Sequence, residues 1–114
     1  MNVLWEMPLK IKGTEQNPMP EGMDEAIAIV FAGAPNYESA LTNGVNTIQR
    51  MGYQFVDLLG TQVFQIPLDQ WDEYVAGKYD YFLQSLPGSD ALPSLVESGE
   101  VFLGPFMGYE GQAA

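Results

Sequence analysis

Apolar and polar residues alternate at the start of the chain, with Val3, Trp5, Met7, Leu9 and Ile11 interleaved with Leu4, Glu6, Pro8 and Lys10. A period of two predicts a strand with one buried face. Pro8 has no amide hydrogen to give to a ladder, so this strand is expected at a sheet edge. The stretch 13–24 (GTEQNPMPEGMD) holds two prolines and two glycines, shows no period and reads as a loop. From Ala26 to Ala32 the chain is continuously apolar and rich in Ile and Val, which suits a central strand buried on both faces.

The period then lengthens. Tyr37, Ala40, Leu41, Gly44, Val45, Ile48 and Met51 recur at helical spacing and predict a helix over 37–51, with Asn36 as N-cap and Gly52 as its stop. Strand-like segments 53–59 and 61–66 flank Gly60 and look like a tight hairpin. Pro67 and Asp69 open a second helix, in which Leu68, Trp71, Val75, Tyr79, Phe82 and Leu86 share a face and which Pro87-Gly88 closes. A short helical piece over 90–98 would end at Gly99. Residues 101–107 can form a last strand, with Pro105 again favouring an edge.

With the N-terminal strand set aside, the order is strand, helix, strand, strand, helix, strand, the ferredoxin-like split βαβ plan. The expected fold is therefore α+β, an antiparallel sheet with two helices on one face and an added N-terminal edge strand. One domain is expected over 1–114, with 110–114 as a disordered tail.

Composition narrows the function. Fifteen acidic residues against four basic ones give the 114-residue chain a formal charge of −11, a field that attracts basic partners and repels nucleic acid and anionic lipid. Without histidine or cysteine, the commonest acid–base and nucleophilic groups near neutral pH are missing, so a non-enzyme without cofactor is expected. The strand–helix junction 31–36 has one glycine and no lysine, unlike a phosphate-binding loop. Asp69, Asp72 and Glu73 cluster, but without the alternating spacing of a calcium loop, so no metal site is expected. Glu6 and Pro8 interrupt residues 1–13 where a signal peptide would be apolar, and the apolar run 26–34 is less than half a membrane span. A cytoplasmic location away from membranes is the expectation.

On a helical wheel, Asp69, Glu73 and Asp80 lie opposite Trp71 and Phe82, with Asp72 at the flank. The outward positions of the first helix, Ser39, Asn43, Asn46 and Arg50, carry almost no acid. Asp69, Asp72, Glu73 and Asp80 thus form a candidate docking face for a basic protein, against the plainer reading of a solvated helix surface. Lys78 falls within the apolar stripe. Either the helix breaks at Gly77, or the lysine stem packs while its ammonium reaches a carboxylate such as Asp80; a desolvated nucleophilic lysine is the third reading. In the last strand, Phe102, Gly104 and Phe106 are expected to face the core. Leu103, Pro105 and Met107 would then point outward as an apolar edge strip through which two copies could pair.

The leading expectation is a small acidic non-catalytic module that engages a basic protein. In general character (small, acidic, cysteine-free, α+β, without a catalytic set) the chain resembles bacterial toxin-immunity proteins and other stoichiometric inhibitors. A small-ligand-binding or catalytic protein using an open sheet face is the alternative. An acidic DNA mimic is a further one, against which the neutral outer face of the first helix counts.

Overall fold

The computed structural model describes residues 2–16, 18, 25–58 and 63–109, the last three by backbone alone. In chain order the elements are β1 (Val3–Lys12), β2 (Glu25–Ala34), α1 (Tyr37–Arg50), β3 (Gln54–Leu58), β4 (Phe64–Ile66), α2 (Trp71–Lys78), α3 (Leu92–Glu97) and β5 (Val101–Tyr109). Short 3-10 turns at Leu68–Gln70 and Asp80–Ser85 flank α2. The domain is α+β, with one antiparallel five-stranded sheet.

β2 is the central strand that its apolar run predicts, buried at nearly every position. Its even residues, Ala26 to Ala34, face one layer and Ile29 and Phe31 the other. The even side is mostly alanine, which lets α1 lie close. Gly44 of α1 sits where an added methyl would meet the side chains of Met7, Val30 and Leu9. α1 begins as its cap predicts, with Asn36 Oδ1 accepting from the Ser39 amide at 2.8 Å. It stops where Gly52 adopts a φ of 96°, open to glycine at no steric cost.

The ferredoxin-like arrangement is not what forms. The strand order is β3-β1-β2-β5, with β4 also on β1, so the N-terminal strand lies between β2 and β3 rather than at an edge. Pro8 acts locally instead. β3 pairs with Leu9–Lys12 and β4 with Leu4–Glu6, so the gap between the two partners falls at Met7-Pro8, where one donor is missing from the strand. β3 and β4 are not a hairpin: both run antiparallel to β1 and lie end to end along its edge. Gly60, the proposed turn, is outside the described residues, as are most of the predicted loop 13–24 and the tail 110–114.

The helices do not share one face. α1 packs with Met7, Leu9, Ile11 and the β2 alanines, whereas α2 and α3 cover the opposite face with Leu4, Ile29, Phe31 and Ile66. The sheet is therefore covered on both sides, and the open face invoked for a ligand is occupied. α3 touches β2 so closely at Gly33 that a β-carbon there would lie 2.5 Å from the Val96 carbonyl oxygen.

The second predicted helix is broken into a 3-10 turn, α2 and a second 3-10 turn, with Tyr79 at the joint (φ −130°, ψ 44°). Its stripe survives the break. Trp71, Val75 and Tyr79 are buried in the second core, and Leu68, Phe82 and Leu86 pack against it. Trp71 is fully buried, donates its indole N–H to the Pro87 carbonyl at 2.9 Å, and meets the Phe31 ring edge-on at 5.3 Å.

Candidate functional site

The centre of polar chemistry lies between β1 and α2, around a residue the sequence pattern assigns to the solvent side of an edge strand. Because β1 is internal and α2 lies over it, Glu6 is 1% exposed. Its Oε1 accepts from the Tyr74 hydroxyl, and its Oε2 accepts from the Tyr79 hydroxyl and from Lys78 Nζ at 3.4 Å. Lys78 also donates to Tyr74 Oη at 2.9 Å. Its ammonium lies over the rings of Phe64, Tyr74 and Tyr79, 5.3 to 5.6 Å from their centroids, within cation–π range.

A buried carboxylate is tolerated only when paired and hydrogen-bonded, and each oxygen here has a donor. The two tyrosines are held protonated: burial pushes both phenols well above their ordinary value, and hydrogen bonding to the Glu6 carboxylate and its charge push the same way. They serve as donors over the whole physiological range, not as bases. Of the forms foreseen for it, Lys78 takes the one in which its head reaches a carboxylate, but that carboxylate is Glu6 and not Asp80. With its side chain 45% exposed, it is the outer end of the cluster.

Beside this cluster is a cleft of about 360 Å³ between β4 and α2, lined by residues 64–67 together with Gln70, Tyr74 and Lys78.

The predicted docking residues lie on the outside of the same segment. Asp69, Asp72, Glu73 and Asp80 are all exposed, and none is in an ion pair among the described residues. Asp69 belongs to the first 3-10 turn and Asp80 to the second, so the four are strung over three consecutive elements rather than one helix face. Among the described residues, no three such side chains converge into a set able to hold a metal ion.

The edge strip is arranged differently from its prediction. Helices cover both faces of the sheet, and the described outward positions expected of β5 do not form an exposed strip. Leu103 packs against the α1-side core and Pro105 is buried, and the Met107 side chain lies outside what is described. A register shift in the β2–β5 pairing between Ala28 and Val30 changes the alternation. Phe106, expected inside, is exposed and tilts against Tyr53 at 5.6 Å. No described helix is long and apolar enough to cross a membrane.

The Glu6 cluster had one trace in the sequence: Lys78 in an apolar stripe, a cation whose partner is 72 residues away. Comparison of the chain with protein-family models, curated proteins and solved structures finds no match.

Proposed function

We propose that the protein is a non-catalytic binding module whose string of carboxylates Asp69, Asp72, Glu73 and Asp80 engages a basic protein. The observation that carries this reading is how the segment's charge is used. Its one cation, Lys78, is turned inward to neutralise buried Glu6, leaving the four exposed acids uncompensated by any described residue. Such a surface favours fast, salt-sensitive association with a positive partner.

The test is capture of partners from native lysate, followed by binary kinetics with the purified protein so identified. The wild type should bind a basic protein rapidly at low salt and slowly at high salt. The combined variant Asp69→Lys, Glu73→Lys, Asp80→Lys should associate at least tenfold more slowly, and Glu97→Lys, at an exposed position of α3, should not. An association rate that does not respond to the triple reversal removes this face as the binding surface.

A further inference from the structure

The cleft between β4 and α2 has a composition that the docking reading does not use. One wall is apolar: the Phe64 side chain, 44% exposed, together with Ile66 and Pro67. The opposite wall carries Tyr74 and Lys78. An ammonium has three N–H donors, and that of Lys78 uses two, on Tyr74 and Glu6. The side-chain amides of Gln65 and Gln70 have no partner among the described residues. The cleft's volume of about 360 Å³ lies at the small end of the range for small-molecule sites, roughly 300–1,000 Å³.

Charge selects among ligands. The Lys78 charge is already balanced by Glu6, so an anion gains little from the lysine, and it must enter against a net charge of −11. A cation would place its charge beside the ammonium. A neutral acceptor meets neither penalty, and a flat apolar body can lie on Phe64 and the Tyr74 ring. From this geometry we infer that the cleft binds a small uncharged molecule with an apolar ring body and one carbonyl acceptor, which takes the third N–H of Lys78.

Four compounds of one shape test it on the whole chain: 1-indanone, indane, the ammonium form of 1-aminoindane, and indane-1-carboxylate, each titrated while backbone amide shifts are followed. 1-Indanone should give saturable shifts at residues 64–67, 70, 74 and 78. It should bind about tenfold or more tightly than indane, the ratio carried by a hydrogen bond to a charged donor. In Lys78→Met the two should bind equally, and Lys78→Arg, which keeps a cationic donor, should keep the preference. Wild-type shifts that do not saturate or lie elsewhere would overturn the inference. So would tightest binding of either charged compound, or a ketone preference that survives in a folded Lys78→Met.

Discussion

The Tyr79 hydroxyl donates to Oε2 of Glu6, a carboxylate 73 residues earlier in the chain and 1% exposed. This contact joins the internal strand β1 to the point where α2 ends. It also makes the buried acid and the helix break parts of one arrangement: Tyr79 leaves helical geometry (ψ 44°) while its ring stays in the core.

Removing Glu6 should therefore destabilise the protein through what it leaves behind. Glu6→Ala leaves the Tyr74 and Tyr79 hydroxyls without their acceptor, and each buried donor left unsatisfied costs about 1–3 kcal/mol. Glu6→Leu combined with Tyr74→Phe, Tyr79→Phe and Lys78→Met removes donors and acceptor together and should lose less than the four single changes summed. Urea unfolding of the set would check this; strict additivity would mean that the groups do not act as a network.

Alkaline pH should unmask the two tyrosines. Both phenols are raised in the folded state, so above about pH 10 the unfolded chain gives up protons that the folded chain retains. Their contribution is complete below pH 10 and declines as pH rises beyond it, by about 1.4 kcal/mol per pH unit for each phenol still protonated in the fold. Stability measured between pH 9 and 11.5 should fall less steeply in Tyr74→Phe and Tyr79→Phe than in the wild type. Equal slopes would show that the hydroxyls titrate normally.

Trp71→Ala should cost roughly 3–5 kcal/mol, since truncating a buried aromatic leaves a cavity that its neighbours fill only in part. Phe31 and Phe102, with ring centroids 5.3 and 6.0 Å away, would lose their shared partner. An unchanged melting temperature would contradict the burial of Trp71.

At Gly33 the constraint is backbone against backbone. A β-carbon there would stand 2.5 Å from the Val96 carbonyl oxygen and 2.7 Å from its Cα, so α3 must shift as a unit. Gly33→Ala should destabilise by about 1–3 kcal/mol, as overpacking does, whereas Gly77→Ala, with nothing within 4 Å, should be neutral or mildly stabilising. Thermal melts of the two variants distinguish them.

The acidic string should be dispensable for folding. Asp69, Glu73 and Asp80 are exposed, and reversing each to lysine should change stability by less than about 0.5 kcal/mol, the usual limit for such sites. A triple variant that unfolds would show that one of these carboxylates is structural.

Local order was legible from local chemistry. Asn36 and Gly52 bound α1 because capping and a positive φ are settled within a turn. The continuous apolar run placed β2 in the centre, and the stripe from Leu68 to Leu86 found its core even though the helix carrying it is broken. The exposure of the four acids followed from the same periodicity. Which strands become neighbours is a different kind of question, because pairing joins residues far apart and any strand of suitable period can take any place in a sheet. Pro8 pointed to an edge, yet a missing donor needs only a gap on one side, and the break between β3 and β4 provides it. Once β1 lay inside and helices covered both faces, Glu6 was enclosed and needed Tyr74, Tyr79 and Lys78 as partners. No short-range pattern encodes that set; it exists because tertiary packing removed water from a carboxylate and had to replace its hydrogen bonds.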